Sequence, residues 1–174
     1  MKTQIKVLFV CMLFLPVGLV AQDADQPASS NVLPSDLALL IGHWEGTLTY
    51  LDYNTNEPYT LPAHLDVAPG RNDYQINASH IFPGEPKANS DFKLNISRSG
   101  NKLNKRKVIS RTVLPDGKIQ IITEYSYKDG DEKKMATNRV TYTIGKDTYS
   151  VRKDVQFEGT NDWTMLNNYT YQKK

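Results

Sequence analysis

From His43 to Tyr171 the chain repeats one pattern: apolar and polar residues alternate with a period of two, and short turn-forming clusters cut the runs apart. In the first run Trp44, Gly46, Leu48 and Tyr50 share one face, while His43, Glu45, Thr47 and Thr49 share the other. Strands of this kind bury one face only. The connections leave no room for a crossover helix, so the strands must pair as an antiparallel meander. About nine such strands in a single sheet would curl and close, which removes exposed edges.

The later runs support the same reading. Leu61, Ala63, Leu65 and Val67 alternate with Pro62, His64 and Asp66, and Pro62, which donates no ladder hydrogen bond, marks an edge, bulge or bend. After Pro69-Gly70-Arg71-Asn72 come Tyr74, Ile76, Ala78 and His80, then Phe92, Leu94 and Ile96, then the turn Ser99-Gly100-Asn101. The stretch from Lys105 to Leu114 does not keep one phase: Val108 and Leu114 fall on one face, Ile109 and Val113 on the other. Beyond Pro115-Asp116-Gly117 the alternation is regular in three runs. These carry Ile119 to Tyr127, Ala136 to Ile144 (with Asn138, Val140 and Tyr142) and Tyr149 to Phe157 (with Val151, Lys153 and Val155). The last run is expected to place Trp163, Met165, Asn167, Tyr169 and Tyr171 on one face.

The N-terminal part differs. Lys2 and Lys6 precede an apolar run from Val7 to Ala21 with a small-residue exit, the form of a secretory signal peptide, predicted to be cleaved after Ala21. Residues 22–32 are polar and read as a flexible leader, and 33–174 as one domain. Pro34-Ser35-Asp36 predicts a helix start, with a short helix over Ser35 to Ile41 ended by Gly42. Removing the first 21 of the 174 residues leaves 153 and takes away Cys11, the only cysteine, so the predicted mature chain has no disulfide and no thiolate ligand. Lys2 and Lys6 go with it, leaving 19 basic against 19 acidic residues, a balance that argues against a nucleic-acid partner.

The motif Gly42-His43-Trp44-Glu45-Gly46, placed after a short helix and opening an up-and-down meander, resembles the lipocalin and calycin superfamily, and is similar to the start of bacterial lipocalin-like and nitrobindin-like barrels. The resemblance implies a barrel of 8–10 strands whose closed end is plugged by Trp44 between Gly42 and Gly46. Nitrobindin-like barrels hold haem through a C-terminal histidine. This chain has no histidine after His80, so no haem and no other cofactor is expected.

Barrels of this size either fill with side chains or hold one small molecule. His80, Lys153 and Asn167 occur in the apolar phase with Tyr50, Tyr125 and Tyr142, and as ligand-binding residues they would line an apolar cavity with a cation, an amide and hydroxyls. The plainer alternative has His80 at the rim, Lys153 snorkelling and Asn167 bonded to backbone. No catalytic motif occurs, and His43, His64 and His80 lack metal-ligand spacing, so neither catalytic nor metal residues are assigned. Glu45 with Asp66, and Glu124 with Asp154, read as outer-face charges. Asn77, Asn95 and Asn168 head glycosylation-like triplets, but within strands, as chance matches. Short loops on both sides and Pro62 argue against a membrane barrel. The sequence thus points to a secreted or periplasmic barrel binding a small apolar or amphiphilic molecule, non-catalytic and with no membrane span after cleavage. The alternatives are a filled barrel serving as a protein-interaction module, or an isomerase or lyase using the cavity.

Overall fold

The computed structural model describes residues 31–52, 55, 57–129 and 133–174. The predicted signal peptide and nearly all of the predicted leader lie outside them. Its regular elements, in chain order, are the helix α1 (Pro34–Ala38) and the strands β1 (Gly42–Asp52), β2 (Glu57–Pro69), β3 (Gln75–Ile81), β4 (Ser90–Asn95), β5 (Lys102–Leu103), β6 (Arg106–Val113), β7 (Ile119–Asp129), β8 (Lys134–Ile144), β9 (Thr148–Phe157) and β10 (Thr164–Lys173). A single turn of 3-10 helix spans Pro86–Ala88.

The strands form one antiparallel sheet in the order β4-β3-β2-β1-β10-β9-β8-β7-β6-β5. Pairing of β1 with β10, from Trp44 opposite Lys173 to Tyr50 opposite Asn167, brings the first and last strands together. At the two ends of that order, β4 and β5 are joined by the isolated bridge Ile96–Leu103, with Ser97 N donating to Lys102 O and Asn104 N to Asn95 O. The result is an all-β, nearly closed barrel of ten strands with one short helix.

Register follows the period-two pattern, because a one-residue slip would turn every apolar side chain outward. One inward row crosses the wall as Gly46, Tyr171, Tyr149 and Ile144; the next as Leu48, Tyr169, Val151, Tyr142 and Ile121; the next as Tyr50, Asn167, Lys153, Val140 and Thr123. The irregular stretch of the sequence has a structural cause: β6 carries a bulge between Val108 and Ser110, so its apolar residues change face midway. A second bulge, between Met165 and Asn167, corrects the reading of the last strand. Leu166 rather than Met165 is buried, packing with Ala136, Val155 and Phe157, and Trp163 instead lies under the Arg139 guanidinium at 4.1 Å.

The helix is one turn shorter at its end than predicted. Its start is capped by Asp36, whose carboxylate accepts from Leu33 N at 2.8 Å while Asp36 N donates to Leu33 O. Val32 is already buried and bonded to Gly100 O, so the packed part of the chain includes it.

Candidate functional site

One end of the barrel is sealed. Trp44 is fully buried, its Nε1 donates to Leu40 O at 2.7 Å, and Leu37 and Leu40 from the helix segment belong to the same core. Lys173 lies opposite Trp44 in the ladder, sits 5.0 Å over its ring, and donates to Leu39 O at 3.1 Å. Gly42 has φ 135°, a conformation that suits glycine where the chain turns from helix into β1. Gly46 has no room for a side chain: a Cβ there would lie 1.8 Å from Thr170 O. The helix is held down by Arg111, which enters from β6 and makes two 2.7 Å bonds to the wholly buried Asp36 carboxylate. That bond raises the pKa of Arg111 further.

Above this floor an aromatic column runs through the interior. His80 stacks on Tyr169 at 4.8 Å, Tyr169 on Tyr171 at 6.0 Å and Tyr171 on Tyr149 at 5.9 Å, and Tyr149 meets Trp44 at 6.0 Å. Phe82 and Phe92 complete a cage about the imidazole. Burial lowers the His80 pKa to about 4, so the ring is neutral near pH 7. Burial pushes the phenols of Tyr142, Tyr149, Tyr169 and Tyr171 upward, so these remain hydrogen-bonding hydroxyls.

The two halves of the interior differ in packing. Tyr171, Tyr149 and Ile144 are buried; in the next row Tyr142 and Ile121, on β8 and β7, are buried too, whereas Leu48, Tyr169 and Val151 of that same row, and the inward Leu61, Phe92 and Tyr125, are only half-buried. Inward-facing apolar side chains that keep solvent exposure are the part of the interior a small molecule could touch, so this stretch of wall is the candidate site.

Its polar groups are few. Lys153 and Asn167 lie opposite one another, with Tyr50 next in the row, but the Lys153 ammonium is matched by Asp129 at 2.7 Å. Arg106, not singled out in the sequence, begins β6 beside Tyr125, with its guanidinium 4.1 Å over that ring and close to the Tyr142 hydroxyl. Among the described residues it has no carboxylate partner. Three inward polar atoms are buried without a hydrogen-bond partner: Thr123 Oγ1, Asn138 Oδ1 and the Tyr171 hydroxyl. The residues expected to share the cavity therefore form two groups, Lys153 with Asn167 and Tyr125 with Tyr142, while His80 stands apart in its aromatic cage. Arg106 escaped notice because it sits in the one stretch whose phase the β6 bulge obscures.

The outer-face charges are paired. His43 bonds Asp66, which with nearby Glu45 raises its pKa, and Glu45 pairs with Lys174 at 3.1 Å. Glu124 pairs with Arg139 and Asp154 with Arg152, so these two carboxylates are separately neutralised. Among the described residues no group of histidine, cysteine, aspartate or glutamate is arranged to hold a metal. No helix among them is long and apolar enough to cross a membrane.

No protein-family profile matches the chain, and no curated protein does. Among solved structures it is similar to Rv2717c from M. tuberculosis at 14% identity and a TM-score of 0.48, covering 83% of this chain and 99% of that one. It is also similar to a protein of unknown function of the DUF3598 family from Nostoc punctiforme, at 14% identity and a TM-score of 0.48, covering 87% of this chain and 53% of that one.

Proposed function

We propose that the protein is a non-catalytic carrier of the lipocalin-like type, exported through its N-terminal signal, that holds a small apolar or amphiphilic molecule in the upper half of the barrel. The observation that carries this reading is the contrast between the sealed floor and the half-exposed inward wall of Leu48, Leu61, Val151 and Tyr169. A barrel filled only by its own side chains would bury these residues as fully as Tyr142 and Ile121 in the same row.

The test is to fill the space. Val151→Trp would place an indole in the mid-wall layer and is expected to abolish binding of the neutral fluorophore N-phenyl-1-naphthylamine, with the β-sheet circular dichroism retained. Unchanged affinity in this variant and in Leu48→Trp would refute an interior site. Export is tested separately, by whether the chain is recovered in the soluble periplasmic or culture fraction without residues 1–21.

A further inference from the structure

Charge is unevenly spread along the chain. The 24 residues from Phe92 to Pro115 hold seven of its 21 basic residues and no acid, so the other 150 residues carry 14 bases against 19 acids. Of the seven, Arg111 is matched by Asp36. The remaining six, Lys93, Arg98, Lys102, Lys105, Arg106 and Lys107, have no carboxylate partner among the described residues. Glu124, opposite Lys107 in the ladder, pairs with Arg139 instead, and Asp91 on β4 accepts from the Ser79 hydroxyl.

The fold gathers these six. In the β5–β6 hairpin Lys102 stands directly opposite Lys107, both exposed on the outer face while Leu103 fills the inner one. Like charges placed so weaken strand pairing. The turn between them is Asn104-Lys105, with φ 49° and 67°. A two-residue turn with positive φ at both positions favours Asn followed by Gly, and here an exposed lysine stands where glycine would be relaxed. Asn104 N donates to Asn95 O and Asn95 N to Asn104 Oδ1, which holds the hairpin tip against β4, two residues from Lys93. Arg98 lies in the turn that joins β4 to β5, with its guanidinium 5.2 Å over Tyr74. Neither the facing lysines nor the lysine at positive φ helps the hairpin to form; both keep positive charge in one place.

We infer that the outer face of this hairpin, with Lys93 and Arg98, is a docking surface for an acidic polysaccharide, a sugar chain bearing carboxylate or sulfate groups. Separate ammonium groups, each a hydrated point charge, match anionic groups strung along a polymer rather than a single bidentate head. The surroundings select the kind of polymer. Exposed neighbours are the amides and hydroxyl of Asn77, Asn95, Asn101 and Ser99, groups that suit sugar hydroxyls. Single-stranded nucleic acid stacks its bases on open ring faces, and the two tyrosines beside the patch, Tyr74 and Tyr125, are covered by Arg98 and Arg106. A bilayer surface calls for apolar insertion. Of the exposed apolar residues on β4, β5 and β6, Val113 ends β6, which leaves Ile109 alone beside the cations. The surface lies outside the barrel and is independent of the interior site.

The test is a fluorescence titration of the purified protein with labelled heparin, beside labelled neutral dextran, oligothymidylate and phosphatidylglycerol vesicles. Wild type is expected to bind heparin and not dextran, and to lose about a hundredfold in affinity between roughly 50 and 200 mM salt, the counter-ion release of about four contacts. Lys102→Glu and Lys105→Gly should each weaken heparin binding about fivefold or more and lower the salt slope by about one per lysine lost. Both should nevertheless raise the urea midpoint, because one removes a like-charge pair and the other relaxes the turn. Lys146→Glu, on the β8–β9 turn, should leave heparin binding unchanged. Affinity for heparin that is no greater than for dextran, or that persists in both hairpin variants, overturns the assignment. Variants that bind weakly but unfold more easily than wild type overturn it too, since the lysines would then be structural. Tighter binding of wild type to oligothymidylate or to the vesicles than to heparin at the same salt overturns it in favour of nucleic acid or a membrane.

Discussion

His80 is held neutral by its surroundings, and that has a measurable effect on stability. Its ring lies among Phe82, Phe92 and Tyr169, and its pKa falls to about 4 from a value near 6.5 in the unfolded chain. Between these values the unfolded state binds more protons, so stability is complete above about pH 6.5 and is lost as pH falls toward 4. The ring is not wholly buried, so solvent screening limits the loss to about 1–3 kcal/mol. Urea unfolding at a series of pH values should show this slope in wild type and a flatter one in His80→Gln. Thr123 poses the opposite case. Its buried hydroxyl has no partner, so Thr123→Val should leave the protein as stable in urea unfolding or about 1 kcal/mol more stable. Both residues were open to sequence reading in part. Strict alternation puts His80 and Thr123 on the inward face, but it says nothing of whether a partner awaits them, and Lys153 looks free until Asp129 is found reaching it from two strands away.

A five-residue helix has no stability of its own, since nucleation in water is unfavourable and so short a segment closes few helical bonds. What fixes α1 is one carboxylate with two tasks. Asp36 caps the helix through Leu33 N and receives the Arg111 guanidinium on both oxygens. Breaking the pair from one side leaves a charge with no solvent and no counter-ion, so Arg111→Met should cost about 3–5 kcal/mol in urea unfolding, and Asp36→Asn combined with Arg111→Met should recover part of the loss. If the single variant unfolds no more easily than wild type, the helix is not held by this pair. Pro34 and Asp36 did announce a helix start. Its partner on β6 could not be read, because Arg111 follows the bulge between Val108 and Ser110 and so enters the barrel in a phase the preceding residues do not set. The same limit applies at Met165 and Leu166: strand existence is local chemistry, whereas a bulge is decided by the neighbouring strand.

At the level of the whole barrel, closure depends on two seams of unequal strength. Between β1 and β10 the ladder is continuous from Trp44 to Tyr50 and is drawn so close at Gly46 that Gly46→Ala would force a Cβ against the Thr170 carbonyl, at an expected cost of about 3 kcal/mol or more. Between β4 and β5 there is a single bridge with a few flanking bonds. The meander itself was legible, since alternation and turn clusters dictate neighbouring strands in chain order. Which strands meet at the ends was not, because those contacts join residues far apart in sequence and depend on accumulated twist. Local opening draws on the regions with fewest backbone bonds, so the weak seam should part well before the strong one. Hydrogen exchange on the unliganded protein is expected to be fast for Ser97 and Asn104 N–H, which span the weak seam, and slowest for the β1, β9 and β10 amides around Leu48, Tyr169 and Val151. Equal protection at the two seams would mean that the barrel opens as one unit and that the β4–β5 seam is no weaker than the rest of the wall.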